Sequence, residues 1–243
     1  MPKRKSPPHF DDDEGDPSLP RASHRSKRRR GEETAKGGSG KKTVRGIKLR
    51  IIGGSMRGRS VPYHGSQITR PMKDSVRESL FNILGPAIVG TRAMDLFAGT
   101  GILAIEAISR GASEAVVVER DVRAADFIKK TITTLGIERR VDVRVGDAFR
   151  TAPSLFEAEP ADQPWIVLIC PPYEMWNTRL ESLRKMIVRA MDAAPPGSQI
   201  VAESERGFDP SQLPTKLWDH RTYGNVRLSI HRTGQVCGWT PVG

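Results

Sequence analysis

Asp95-Leu96-Phe97-Ala98-Gly99-Thr100-Gly101 is the stretch whose reading decides the fold. It closes a short run, Arg92 to Phe97, that reads as a strand, and it opens a segment with Ile102, Ile105 and Ile108 at helical spacing. Gly99 and Gly101 allow a sharp strand-to-helix turn and close approach of a ligand, because no Cβ intervenes. The helix that starts there presents free backbone N–H groups. In an open parallel sheet the ligand sits at the carboxyl ends of the strands, so this turn is the first candidate binding feature.

Working outward, the rhythm of strand and helix persists. Strands are expected over 115–119, 141–145, 165–169 and 199–202, with helices over about 101–110, 122–135 and 178–192. Gly111 and Gly136 are placed to cap two of them. Leu217 to Thr222 and Val226 to His231 read as a closing antiparallel pair. Upstream, residues 47–62 read as a hairpin turning at Gly53-Gly54, followed by a helix over about 74–84 with a capping box from Ser75 to Glu78. The expected architecture is α/β: a seven-stranded, mostly parallel sheet with helices on both faces, plus an N-terminal hairpin and helix.

Three strand ends in succession then offer polar groups. Glu119 closes the second strand, where a carboxylate can accept hydrogen bonds from both hydroxyls of a ribose. Asp147 follows the third strand and is placed to meet an adenine edge. Gly99 to Ala104 also matches the dinucleotide fingerprint G-x-G-x-x-A, so the turn by itself suits NAD or S-adenosylmethionine. Asp95 favours S-adenosylmethionine, since its carboxylate can hold the amino end of a methionine moiety, directly or through water, and would repel a pyrophosphate.

The fourth strand ends Cys170-Pro171-Pro172-Tyr173. Two prolines remove two N–H donors and leave carbonyls that only accept hydrogen bonds, which suits an amine as substrate. Tyr173 adds a flat face for stacking a base.

A glycine turn of the form DLFAGTG followed by a strand-four Pro-Pro-Tyr resembles the amino methyltransferases, whose motif is Asp/Asn-Pro-Pro-Phe/Tyr. The segments Arg50 to Gly54, Arg57 to Arg59 and Arg70 to Asn82, with the late Tyr223-Gly224, narrow the resemblance to the RsmD family over about residues 48–232. It implies a Rossmann-like class I methyltransferase that uses S-adenosylmethionine to methylate the exocyclic N2 of a guanine in small-subunit (16S) ribosomal RNA. By that resemblance Phe97, Gly99 and Gly101 line the cofactor, with Glu119 on the ribose and Asp147 near the adenine. Pro171, Pro172 and Tyr173 hold the target base, and Arg77 and Glu78 lie near the cofactor mouth. The implied partner is small-subunit ribosomal RNA or a ribosomal particle. Cys170 departs from the pattern, because a thiol is a weak acceptor where the family has a carboxylate or amide. Loss of one such bond in the transition state is worth about 1.5–3 kcal/mol, or roughly tenfold to a hundredfold in rate. A slow enzyme, an altered target (a DNA adenine or a protein glutamine) and an RNA-binding homologue without turnover all remain open at this point.

The remaining chain bears on partners. Of the net +11, residues 1–45 carry +6, from 13 Lys+Arg against 7 Asp+Glu. Almost no apolar residue lies there, so the segment is expected to stay disordered, as a solvating tail or an arm for a polyanion. No signal peptide or membrane-spanning run is evident, and a cytoplasmic monomer is expected. Cys170 and Cys237 are too few for a disulfide scaffold, and His9, His24, His64, His220 and His231 lack metal-ligand spacing. The expected division is a basic tail (1–45), an RNA-binding hairpin and helix (46–85), a methyltransferase domain (86–234) and a C-terminal tail (235–243).

Overall fold

The computed structural model describes residues 48–62, 71–159 and 161–234. The two tails, Arg70, His64 and Cys237 lie outside them, so the expectations placed on those residues concern a part of the chain not described.

Seven strands form one sheet: β3 (Arg92–Asp95), β4 (Glu114–Glu119), β5 (Val141–Val145), β6 (Trp165–Ile169), β7 (Gln199–Glu205), β8 (Asp219–Tyr223) and β9 (Val226–Arg232). Their order is β5-β4-β3-β6-β7-β9-β8. The first five are parallel, and β9 and β8 add antiparallel to β7. The sequence order reverses beside β3, whose two neighbours are β4 and β6. That is the switch point at which open sheets of this kind bind ligands.

The central strand β6, Trp-Ile-Val-Leu-Ile, is buried along its whole length, as expected of a strand covered on both faces. Ile166 and Leu168 face one apolar cluster, while Trp165, Val167 and Ile169 face another. The first face is covered by α1 (Asp74–Leu84), α2 (Ile102–Ser109) and α3 (Val122–Leu135), the second by α4 (Ala148–Ala158), α5 (Met175–Thr178) and α6 (Leu180–Ala193). Helix α3 shows why such segments are helical. Ala125, Ile128, Ile132 and Leu135 recur on its buried side, the Asp121 carboxylate accepts from the Ala124 amide at 2.7 Å, and Gly136 ends it with φ +72°.

Several expectations need correction. Helix α4 was not anticipated; Pro153 inside it breaks the helical reading. The helix expected over 178–192 is α6, and a short helix, α5, precedes it, parted from it at Arg179 (φ −133°, ψ 24°). The capping box is absent: Lys73 is the N-cap residue and makes no side-chain cap bond. Arg110, not Gly111, is the C-cap of α2, and Gly111 follows it with φ +110°.

The N-terminal hairpin also differs. Strands β1 (Lys48–Arg50) and β2 (Ser60–Pro62) pair antiparallel, but Gly53-Gly54 is not their turn. Instead segment 51–59 lies against the end of α2. The Ser55 amide donates to the Ser109 carbonyl at 2.7 Å, and Ser109 Oγ donates to the Gly53 carbonyl at 2.6 Å. A Cβ on Gly54 would sit 1.8 Å from the Ser109 oxygen, and Gly54 has φ +77°. Glycine is needed there for contact with a neighbouring helix rather than for a hairpin. Leu49, Ile51, Met56, Val61, Val76 and Leu80 belong to the same core as the first face of the sheet.

Candidate active site

The carboxyl ends of β3, β4, β6 and β7 bring the predicted site residues together. In the sheet register Asp95 lies opposite Val117 and Leu168, and Leu168 opposite Val201. Side chains alternate, so Glu119, Cys170 and Glu203, each two residues further on, project on the same face as Asp95. Asp95 sits one step deeper than this row.

Glu119 is half-buried. Its Oε2 accepts from the Gly99 amide at 2.7 Å and its Oε1 from the Asp121 amide at 2.8 Å. The carboxylate is thereby clamped across the glycine turn, with about two of its four lone-pair sites left for a ligand. Gly99 and Gly101 have φ +56° and +71°, and a Cβ on Gly101 would stand 3.0 Å from Ile128 of α3. The turn therefore needs glycine both for conformation and for packing.

Asp147 serves first as the N-cap of α4, accepting from the Phe149 amide at 2.9 Å. Phe97 is half-buried and meets Phe149 edge-on at 5.7 Å. The Arg179 guanidinium lies over the Phe149 ring at 4.5 Å, so the break before α6 ties the loop after β6 to the start of α4. Sequence reading missed Phe149 and Arg179, and no spacing rule flags them.

Asp95 is fully buried, no ion pair among the described residues engages it, and only the backbone N–H groups of Phe97 and Ala104 bear on its carboxylate, short of full hydrogen-bond geometry. Burial first, then the charges of Glu119 and Glu203, push its pKa up to about 7. A buried carboxylate with no opposite charge beside it, next to a glycine turn, fits a cationic ligand, such as the methionine end of S-adenosylmethionine, and fits a pyrophosphate poorly.

On the other side of the switch point, Cys170 is half-buried, Pro171 buried and Pro172 exposed. Burial, reinforced by Glu203, pushes the Cys170 thiol well above its ordinary range, which keeps it protonated and disfavours a nucleophilic role. The Tyr173 hydroxyl donates to Glu203 Oε1 at 2.9 Å. Glu203 was missed because strand five was expected to end at Ala202, whereas β7 continues to Glu205. The parallel pairing of β7 with β6 ends at Ala202, so Glu203 is the first residue past that edge.

Arg77 and Glu78 part company. Glu78 is exposed, whereas Arg77 is fully buried and donates to the Met72 and Arg50 carbonyls and to Asp74. Arg77 ties the N-terminal segment together and reaches Glu106 of α2 at 3.7 Å. His231, which lacks metal-ligand spacing, has a structural role: it holds the Leu217 carbonyl through Nδ1 at 3.0 Å and packs on Trp218.

Sheet order, glycine turn and carboxylate row define a Rossmann-like class I methyltransferase. The chain belongs to the family described as Conserved hypothetical protein 95, the RsmD family, whose model matches residues 49–232. The family's cofactor is S-adenosylmethionine. YlbH of Bacillus subtilis, whose name assigns it provisionally to the rRNA methyltransferases, is 34% identical over 189 residues, covering 76% of this chain and 98% of that one. Ribosomal RNA small subunit methyltransferase D of Escherichia coli is 46% identical over 87 residues, 36% of this chain and 44% of that one. The solved structure of yhhF from Escherichia coli, provisionally titled a methyltransferase, superposes with a TM-score of 0.62 at 31% identity, covering 78% of this chain and 100% of that one.

Proposed function

We propose that this chain methylates the exocyclic N2 of a guanine in small-subunit ribosomal RNA. The observation that carries the reading is the single face on which Asp95, Glu119, Cys170 and Glu203 converge, between a glycine turn and a Pro-Pro-Tyr loop. The names of relatives in Bacillus subtilis, Escherichia coli and Haemophilus influenzae support rRNA as the substrate.

Glu119 accepts the ribose hydroxyls with the lone pairs that Gly99 and Asp121 leave free. Phe97, Gly99 and Gly101 line the methionine end, and Asp147 meets the adenine edge with the oxygen not engaged by Phe149. Asp95, having no surface of its own, acts on the ligand's positive charge through its field or one bridging water. When bound, S-adenosylmethionine supplies a methyl group activated by a sulfonium. The protein's contribution is then placement. The Pro171 carbonyl and the Tyr173 ring orient the base, which must be unpaired or flipped to reach them.

Exposed Arg50, Arg57 and Lys73 on the N-terminal segment supply phosphate contacts. Arg59, on the same basic stretch, is engaged otherwise and donates to the Leu135 and Thr134 carbonyls at the end of α3.

Cys170 supports one second reading, a homologue with impaired turnover. Both readings are tested by incubating the chain and its Cys170→Asp variant with labelled S-adenosylmethionine and undermodified small ribosomal subunits. Label recovered as N2-methylguanine from the unaltered chain is the expected result. Label from the variant alone would support impairment, and label from neither would refute the substrate assignment.

A further inference from the structure

We propose that Glu203, rather than the residue at position 170, supplies the acceptor oxygen for the target amine and takes the proton the amine loses on methylation. This rests on the reading of the chain as an exocyclic-amine methyltransferase.

The placement comes from the sheet. Ile169 pairs with Ala202 in the parallel register of β6 and β7, so Cys170 and Glu203 are the next residues on adjacent strands. Leu168 and Val201 both face the first core, and two residues further on Cys170 and Glu203 return to that face at its open end. The Glu203 backbone is held there by Trp176, whose indole N–H donates to the Glu203 carbonyl at 2.8 Å. The Pro-Pro-Tyr loop between Cys170 and Trp176 therefore arches beside the Glu203 carboxylate.

The chemistry of the contacts sets the roles. The Cys170 thiol and the Tyr173 hydroxyl both hydrogen-bond to Glu203, and both are donors to it. A thiol kept protonated and pointed at a carboxylate has little to offer an incoming N–H. The carboxylate has about four lone-pair sites and these two donors use two. What remains is a half-buried carboxylate acceptor beside the loop. Burial pushes the Glu203 pKa above the ordinary carboxylate range, partly offset by the Tyr173 and Cys170 bonds. A carboxylate of raised pKa is a better proton acceptor near neutral pH than an exposed one.

The surroundings reinforce this. Asp95 and Glu119 lie along the same sheet face, and Glu205 is two residues further on the same strand. On β9, Leu228 lies opposite Glu203. Arg227, the next residue, turns to the other side, where it donates to the Phe208 carbonyl. Among the described residues no ion pair engages Glu203. Its negative charge stays available to an amine that becomes positive.

The step balances. The guanine N2 lone pair forms the new N–C bond as the S–C bond of the sulfonium breaks and its electron pair stays on sulfur. The nitrogen, now carrying one proton too many, passes it to the Glu203 carboxylate, which returns it to water after the product leaves.

The test compares the full chain with Glu203→Gln, Glu203→Gln/Cys170→Asp and Tyr173→Phe in methyl transfer to undermodified small subunits, with S-adenosylhomocysteine affinity measured beside each by calorimetry. Glu203→Gln should keep that affinity within about threefold and lose about tenfold to a hundredfold in kcat at little cost in KM. It should also lose the acid limb of the kcat profile, which in the unaltered chain falls as pH drops through the raised Glu203 pKa. Cys170→Asp in that background should restore about tenfold or more, by returning a carboxylate to the loop. Tyr173→Phe should retain the acid limb. Glu203→Gln turning over within about twofold of the unaltered chain overturns the inference and leaves the assigned activity standing. Loss of S-adenosylhomocysteine affinity along with turnover overturns it too, by making Glu203 a cofactor or folding residue. An unaltered chain that places no label in RNA refutes the assigned activity, and this inference with it.

Discussion

Two acids are fully buried on the first face of the sheet, and their surroundings are opposite. Glu106, inside α2, accepts from the Ile52 amide at 2.8 Å, from the Gly53 amide at 2.7 Å and from Arg110 Nε at 2.9 Å, with Arg77 Nε at 3.7 Å. Asp95, at the end of β3, has no ion-pair partner among the described residues, and only the backbone N–H groups of Phe97 and Ala104 partly offset its burial. Burying a charge is costly unless it is paired and hydrogen-bonded. Glu106 meets that condition and fastens the N-terminal segment to the sheet. Asp95 does not, and its raised pKa is the mark of the unmet condition. A satisfied buried acid belongs to the fold, and an unsatisfied one at a switch point belongs to a ligand.

The largest effect should come from breaking the satisfied site. Glu106→Ala strands two backbone amides and removes the charge that Arg110 and the fully buried Arg77 face, and should cost about 3–5 kcal/mol in denaturant unfolding. A loss under about 1 kcal/mol would mean that the segment does not depend on this anchor.

Relieving the unsatisfied site should do the reverse. The Asp95 carboxyl has a folded pKa near 7 against an ordinary value of 3.8. The contribution of its neutral form is therefore present below about 3.8 and is lost as pH rises through 7. Asp95→Asn should leave the ligand-free protein more stable than the unaltered chain, by up to about 4 kcal/mol above pH 7, with the gap closing toward pH 4. Thermal unfolding across that range checks both the sign and the window. Equal stabilities at pH 8 would mean that the unpaired carboxylate carries no strain.

A smaller effect sharpens the contrast between fold and site within the basic residues. Arg59→Ala removes a cap on the last turn of α3 and should cost about 1 kcal/mol. It should weaken RNA binding less than Arg57→Ala, which has no such duty. Equal losses of RNA affinity from the two variants would put Arg59 among the phosphate contacts.

The mostly parallel sheet and the placing of the rim residues were legible because the central strands are near-continuous apolar runs and the rim residues sit at their ends. Trp165 to Ile169 could hardly be anything else. Helix α4 was hidden by Pro153, a local signal overridden by tertiary packing of Ala152, Leu155 and Phe156. Glu203 was hidden by strand length, since nothing local in Ala202-Glu203-Ser204-Glu205 marks where pairing with β9 ceases. Glu106 could not be distinguished from a surface acid, because the two backbone amides it holds lie more than fifty residues away in sequence.

The central claim is that the end of β3 is built for a cationic cofactor, and calorimetry of S-adenosylmethionine binding at pH 6 and pH 8 tests it most directly. The unaltered chain should bind about tenfold more tightly at pH 8, as expected for a ligand that favours the ionised form of a group with pKa near 7, and should release about half a proton per site on binding at pH 7. Asp95→Asn should bind weakly and with no pH dependence. Equal affinity at both pH values, with no proton released and no loss in the variant, would contradict the account.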